Sequence, residues 1–191
     1  RNTAHYELVG SGTTGHAESI QVSYDAAVIS YGTLLKVFFS IAHDPTQLNY
    51  QGPDHGTQYR SAIFYNSPAQ KASAEAYIAS LGKAGVYKAK IVTEVTALKA
   101  FYPAEAYHQN FLTLNPDHPY ITYWDLPNIE ALKKTYPQLV ASSAMTKPAS
   151  EQWYGYAVLP AESPLTVPIS HSDAEWKKQL GEFAFGVLRQ A

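Results

Sequence analysis

The hydrophobic positions along the chain follow two different periods, which predicts a mixture of strands and helices. In residues 18–24, ESIQVSY, apolar and polar side chains alternate, as they do in a half-buried strand. The segments RSAIFY at 60–65 and KIVTEV at 90–95 are rich in β-branched and aromatic residues, which favour strands as well. Three strands are therefore predicted.

Helical periodicity fills the intervals between and after these strands. One helix begins at the N-cap Ser30 and ends before Pro45. A second begins at the capping box in residues 67–70, SPAQ, and ends at about Gly82. A short helix is predicted from Pro103. The order of elements indicates an α+β fold, a two-layer sandwich of split βαβ type.

The last predicted helix of this region lies in DLPNIEALKKTYPQL, where Ile129, Leu132 and Tyr136 are expected to pack. The character of the chain changes near residue 141. Residues 142–169 are rich in proline and small polar residues and predict an extended linker. Residues 170–191 predict an amphipathic helix. The expected organisation is one domain at 1–141, a linker, and a helix with no domain of its own.

Composition excludes several classes of function. Of the 191 residues, 46% are hydrophobic and 16% charged, with a net charge of −2, which argues against disorder and against binding to nucleic acid or an acidic membrane. No apolar run reaches membrane-spanning length. We expect a soluble protein, and a cytoplasmic location is the one favoured. The absence of cysteine excludes disulfides and thiol catalysis within these residues.

The most specific chemistry lies in GPDHGTQYRSAIFY, residues 52–65. Asp54 and Tyr59 precede a strand here, and Glu18 holds the same position before the first strand. If the two strands are neighbours, these three side chains converge, and an acid among phenols acquires a raised pKa and donates protons near neutral pH. Alternatively, Asp54 is a turn residue, Tyr59 a core aromatic and Glu18 a solvated charge; spacing alone favours this second interpretation.

Other chemistries find less support. The seven histidines, among them His43, His55 and His108, share no metal-binding spacing. Ser61 and His55 lack the G-x-S-x-G setting of a nucleophile. The GSGTTG run has no lysine and follows no strand. We therefore expect no metal and no cofactor.

Four strings in this order resemble one family: GHAE, HDPTQ, GTQYRS and FYPAE-YHQ. Together with NPDHPYI and DLPNIEALKKTYP, they make residues 4–140 similar to the peptide methionine sulfoxide reductase A family. The resemblance implies a ferredoxin-like fold and thiol-dependent reduction of methionine S-sulfoxide, free or in proteins. It also implies thioredoxin as the reductant and a role in protein repair under oxidative stress.

The resemblance implies a role for four residues. Glu18, from GHAE, hydrogen-bonds to the sulfoxide oxygen and protonates it. Tyr6, twelve residues earlier, and Tyr59, from GTQYRS, help to hold that oxygen. Asp54 belongs to the same polar network. Donors and an acid aimed at the oxygen stabilise the charge that develops on it when a thiolate attacks sulfur.

The departure from the family pattern concerns the nucleophile. The family's cysteine lies in a GCFWG segment, which these residues do not contain, and Gly10 stands where some members have a further cysteine. We expect that segment, with the first strand and helix of the fold, to lie ahead of Arg1. This chain alone is then predicted to be inactive. Residues 170–191 are similar to the start of a methionine sulfoxide reductase B domain, which suggests a fused A–B reductase.

Two alternatives to an enzyme remain open at this point. One is a natural cysteine-less paralogue that binds oxidised methionine or another partner without turnover. The other is a structural or interaction module that keeps only the fold.

Overall fold

The structure is a computed structural model that describes residues 3–140. The predicted linker, 142–169, and the predicted terminal helix, 170–191, lie outside the described residues. In chain order the elements are α1 (Tyr6–Gly10), α2 (Tyr31–Val37), β1 (Tyr50–Gln51), β2 (Asp54–His55), β3 (Ala62–Tyr65), α3 (Pro68–Lys83), β4 (Glu94–Ala97), α4 (Phe111–Leu114) and α5 (Leu126–Thr135). They confirm a mixed α+β chain.

A parallel unit of β3, α3 and β4 forms the centre of the described region. The two strands pair in register from Ala62 opposite Glu94 to Tyr65 opposite Ala97. The core beside them consists of buried side chains from α2, the turn that follows it, and α3: Leu35, Phe39, Ala74, Tyr77 and Leu81. Ile63 and Val95, one from each strand, pack against this core, so burial of the α3 face covers one side of the strand pair.

The predicted helix starts are confirmed by their caps. The Ser30 hydroxyl accepts a 3.0 Å hydrogen bond from the backbone N–H of Thr33 at the start of α2. Ser67 accepts one of 3.2 Å from the N–H of Gln70 at the start of α3. These bonds satisfy amide groups that have no partner within their own helix. α2 continues into a π-helical turn, Phe38–Ala42, and the helical segment ends before Pro45 as predicted.

The predicted strand at residues 18–24 is wrong. The segment is extended without strand pairing, and its apolar residues Ile20 and Val22 are 87% and 53% exposed. A strand exists only where its N–H and C=O groups pair with a neighbour, and no other strand among residues 3–140 lies beside this one. Alternation alone therefore predicted the wrong state.

Two further elements are displaced from their predicted positions. β4 begins at Glu94 rather than at residue 90, because the N–H of Val92 donates to Pro45 O at 2.9 Å, while that of Glu94 donates to Ser61 O at 3.0 Å. The helix predicted from Pro103 is replaced by a 3₁₀ turn, Ala106–His108, and by α4. Asn110, which is left-handed with φ 57°, separates these two short helices.

The long loop before β3 contains a hairpin that the sequence did not predict. β1 and β2 pair antiparallel, with Tyr50 opposite His55 and Gln51 opposite Asp54. The hairpin places Asp54 in β2, three residues before the 3₁₀ turn Thr57–Tyr59. Among residues 3–140, no helix combines the length and the apolar character needed to cross a membrane.

Candidate functional site

Glu18 is brought to Tyr59 by a backbone contact rather than by strand pairing. Its N–H donates a 2.8 Å hydrogen bond to the carbonyl oxygen of Gln58. The Arg60 guanidinium fixes the preceding loop, donating to the carbonyl oxygens of His16 at 3.2 Å and Gly15 at 3.3 Å. Glu18 and the turn of Tyr59 therefore lie together although the predicted strand at 18–24 does not form.

Tyr59 ends a 3₁₀ turn, Thr57–Tyr59, that begins after Gly56. Gly56 has a φ of 132°, a backbone conformation that residues with a side chain rarely adopt. The turn directs the chain from the hairpin into β3 and leaves Tyr59 half-buried beside Glu18.

The electrostatic environment makes the Glu18 carboxyl a weaker acid. Loss of surrounding water raises its pKa most, and the nearby Asp54 carboxylate raises it further. Hydrogen bonding with Tyr59 and the proximity of His108 act in the opposite direction but do not cancel the rise. Glu18 therefore holds its proton to a higher pH than an ordinary glutamate.

The phenol of Tyr59 is affected by the same group of residues. Burial raises its pKa, and so do the charges of Glu18 and Asp54 and the neighbouring phenol of Tyr6. Tyr59 thus remains a neutral hydrogen-bond donor over the physiological range. Tyr59 lies within electrostatic range of the other three residues that the resemblance singled out, so the structure brings all four together.

Tyr6 lies in α1, 47% exposed. Its backbone N–H donates to Oε1 of Glu105 at 3.1 Å. Its ring contacts that of His108, with ring centroids 4.5 Å apart. The ring of His108 is also in contact with Tyr107, at 4.3 Å. α1 is thereby held against the segment FYPAEAYHQ.

His108 is enclosed by these two rings. Among the residues that the structure describes, none hydrogen-bonds to its buried Nε2 atom. His108 is close enough to Glu18 to lower the pKa of that carboxyl. It was not predicted as a site residue, and the sequence signal that pointed to it was its place in the string YHQ.

Asp54 has a partner that sequence reasoning missed. The Tyr120 hydroxyl donates a 2.5 Å hydrogen bond to its Oδ2 atom. Burial and this bond raise the pKa of Tyr120. Burial also raises the pKa of Asp125, and the Asp54 charge adds to that rise. Tyr120 follows Asp54 by 66 positions, so no local pattern links them.

Ser61 forms its hydrogen bonds outside this group. Its Oγ lies 2.7 Å from Nε2 of His43 and 2.8 Å from Oγ1 of Thr93. His55, the other half of the nucleophile pair considered above, stacks on Tyr50 with ring centroids 5.2 Å apart. Ser61 is only 4% exposed, so this chain of polar groups is part of the interior.

The described residues also bear on metal binding. Between residues 3 and 140, no group of three or more histidine, aspartate or glutamate side chains is arranged to hold a metal ion. What the site offers instead is a carboxylic acid close to two phenols. Such donors stabilise an oxygen that gains negative charge during a reaction.

Comparisons with known proteins identify several relatives of the chain. The chain is 57% identical over 139 residues to "Peptide methionine sulfoxide reductase MsrA 2" of Mesorhizobium japonicum, which covers 73% of this chain and 71% of that protein. It is 53% identical over 134 residues to the protein of the same name from Synechocystis, covering 70% of this chain and 63% of that one.

A solved structure gives a similar result. The reduced form of Mxr1 from Saccharomyces cerevisiae matches with a TM-score of 0.57 and 42% identity, over 60% of this chain and 61% of that one. The match therefore spans about three fifths of the solved chain. The family model described as peptide methionine sulfoxide reductase matches residues 1–139. The chain belongs to the peptide methionine sulfoxide reductase family.

Proposed function

We propose that this chain provides the sulfoxide-oxygen-binding part of a peptide-methionine (S)-S-oxide reductase, an oxidoreductase that returns methionine S-sulfoxide to methionine in protein repair. The observation that carries the proposal is the Glu18 carboxyl, held by a backbone bond beside Tyr59 and shifted towards its protonated form. Membership of the family supports the assignment of the substrate.

The proposed role of each residue follows from the charge on the substrate. The sulfoxide oxygen is a strong hydrogen-bond acceptor, and its negative charge increases when a thiolate attacks sulfur. Tyr59 and Tyr6 donate hydrogen bonds to that oxygen, and Glu18 transfers a proton to it as the S–O bond breaks. Asp54, whose Oδ2 atom accepts a hydrogen bond from Tyr120, belongs to the same group of polar side chains.

The complete reaction needs two electrons and two protons from thiols, and it releases the oxygen as water. The 191 residues contain no cysteine, so the attacking thiol and the reductant come from outside this sequence. A thioredoxin-type dithiol is the reductant that we propose, by analogy with the family. The finer architecture that we propose is ferredoxin-like, supported by the parallel β3–α3–β4 unit.

A second candidate is a binding module for oxidised methionine that performs no turnover. It is favoured by one observation, the absence of cysteine from a chain that keeps the acid and the phenols. The natural coding sequence ahead of Arg1 distinguishes the two candidates. An in-frame GCFW-like segment supports the reductase, and a start codon close to Arg1 supports the binding module.

Both candidates predict binding of a sulfoxide, which the 191-residue chain itself can test. We expect the S-epimer of N-acetyl-methionine sulfoxide amide to shift the NMR resonances of Glu18 and Tyr59, and the R-epimer to bind at least about tenfold more weakly. Glu18→Gln should weaken binding at a pH below the pKa of Glu18, because the amide N–H that replaces the carboxyl O–H is a weaker hydrogen-bond donor. Glu75→Gln, on the exposed side of α3, is the matched control.

Two results would contradict the proposal. One is the absence of any sulfoxide binding, and the other is an affinity that Glu18→Gln and Glu75→Gln leave equally unchanged. The chain alone should show no reduction of the sulfoxide with dithiothreitol. In a longer chain that carries the cysteine, Glu18→Gln should slow reduction by about 10² to 10⁴-fold, the usual contribution of a general acid.

A further inference from the structure

Gln58 connects the elements that carry the proposed site while pointing away from solvent. It is 3% exposed. Its side-chain Nε2 donates a 3.1 Å hydrogen bond to the carbonyl oxygen of Gly10, the last residue of α1. The backbone carbonyl oxygen of Gln58 accepts a 2.8 Å hydrogen bond from the N–H of Glu18. One residue therefore joins the helix of Tyr6, the loop of Glu18 and the turn of Tyr59.

Two glycines make room for this side chain. A Cβ at Gly56 would lie 2.2 Å from Oε1 of Gln58, and a Cβ at Gly12 would lie 3.0 Å from it. Both glycines have positive φ, 132° and 73°. The hydroxyl of Thr57 also donates to Gly12 O at 3.2 Å, which ties the glycine loop to the 3₁₀ turn. The Gln58 side-chain amide occupies space that a side chain at either glycine would fill.

The Oε1 atom of Gln58 is buried and has no hydrogen-bond partner within residues 3–140. Leaving a buried acceptor unsatisfied costs about 1–3 kcal/mol. Flipping the amide does not remove this cost, because it would place Oε1 against the carbonyl oxygen of Gly10. A methionine of similar size would avoid the cost, but it would lose the bond to α1. The hydrogen bond from Nε2 to Gly10, and not packing, therefore explains why residue 58 carries an amide side chain.

We propose that Gln58 is a positioning residue for the Glu18, Tyr59 and Tyr6 group, holding α1 and the Glu18 loop at a fixed distance from the turn of Tyr59. Gln58 itself touches no substrate. Its effect on sulfoxide recognition rests on the function proposed above, whereas its effect on the geometry of Glu18 does not. The consequence is that the partial desolvation of the Glu18 carboxyl depends on the Gln58 amide.

The test replaces Gln58 with methionine in the 191-residue chain. We expect the Glu18 pKa, measured by ¹³C NMR of its carboxyl, to fall towards the ordinary value because the loosened loop admits water. Hydrogen exchange at the Glu18 amide should accelerate at least about tenfold, since the bond to Gln58 O opens more often. The Kd for methionine S-sulfoxide should rise about tenfold. A role in stability alone would leave the Glu18 pKa and the Kd unchanged, and its effect on exchange would match that of an equally destabilised control variant.

Gln70→Met is the matched control. Gln70 is half-buried and accepts a hydrogen bond from the N–H of Asn66 at the start of α3. Its replacement should reduce stability and leave the Glu18 pKa and the affinity for the sulfoxide unchanged. If Gln58→Met does not fold, Gly12→Ala serves in its place, because the added Cβ displaces Oε1 without removing the amide.

The outcomes separate the two proposals. The positioning role is overturned if the Gln58→Met chain has the same Glu18 pKa, the same exchange rate at the Glu18 amide and the same Kd for the sulfoxide as the unaltered chain. If the unaltered chain binds no sulfoxide, the proposed function fails; altered Glu18 titration and exchange in Gln58→Met would then still support the positioning role.

Discussion

The Tyr120 hydroxyl and the Asp54 carboxylate form a 2.5 Å hydrogen bond between the hairpin and the segment that leads into α5. Tyr120 is followed by Ile121, which is 3% exposed and begins a π-helical turn. The buried isoleucine fixes the backbone of this segment, and the hydroxyl then fixes one oxygen of Asp54. Tyr120, 66 positions further along the chain, thereby orients the Asp54 carboxylate.

Tyr120→Phe should reveal the contribution of this bond. The variant keeps the ring but leaves Oδ2 of Asp54 without its donor, so we expect a loss of about 0.5–1.5 kcal/mol in the free energy of unfolding. Urea denaturation measures it. Tyr123→Phe is the control, because Tyr123 is 70% exposed and surface changes stay within about 0.5 kcal/mol. Equal losses in both variants would show that the bond contributes nothing.

The features that the sequence predicted correctly depend on neighbouring residues. The caps at Ser30 and Ser67 involve partners three positions away, and α3 ends within one residue of its predicted end. Helices form from such local interactions, which is why their starts can be predicted from a few letters.

The features that the sequence missed depend on distant residues. Residues 18–24 have the alternation of a strand but no partner strand among the described residues, and β4 is displaced because the Val92 N–H bonds to Pro45. Tyr120 reaches Asp54 across 66 positions, and Gln58 reaches Gly10 across 48. Position before the strands raised Glu18, Asp54 and Tyr59 as one of two interpretations, whereas Tyr6 and the roles of all four came from resemblance to a family, because spacing and periodicity do not reveal such contacts.

The pH dependence of stability should show the raised pKa of Glu18. Between its unfolded value, near 4.5, and its folded value, the folded state binds more protons, so this residue makes stability fall as the pH rises. Glu18→Gln should remove that pH dependence and should stabilise the chain at a pH above the folded-state pKa of Glu18. The gain should stay below about 1 kcal/mol, because solvent screens an exposed side chain. Urea unfolding at several pH values measures the difference, and a gain that is the same at every pH would contradict it.

Ser61→Ala should destabilise the interior more than its size suggests. The Ser61 hydroxyl bonds to Nε2 of His43 and Oγ1 of Thr93, and its loss leaves both without this partner. Unsatisfied buried polar groups cost about 1–3 kcal/mol, which denaturant unfolding will detect. Ser23→Ala, at an exposed position of the extended segment 18–24, controls for the chemical change. A cost below about 0.5 kcal/mol for Ser61→Ala would show that water replaces the hydroxyl.

Gly56→Ala and Gly15→Ala separate backbone strain from displacement of Gln58. Both glycines have positive φ, 132° and 75°, and a side chain in such a conformation costs about 1–3 kcal/mol. No atom lies within 4 Å of a Cβ added at Gly15, whereas one added at Gly56 would lie 2.2 Å from Oε1 of Gln58. Gly56→Ala should therefore lose the bond from Gln58 to Gly10 in addition, a further cost of about 1 kcal/mol. The free energies of unfolding of the two variants, together with hydrogen exchange at the Glu18 amide, measure the effect. Faster exchange is expected in Gly56→Ala alone. The same exchange rate in both variants would show that a Cβ at residue 56 does not displace the Gln58 amide.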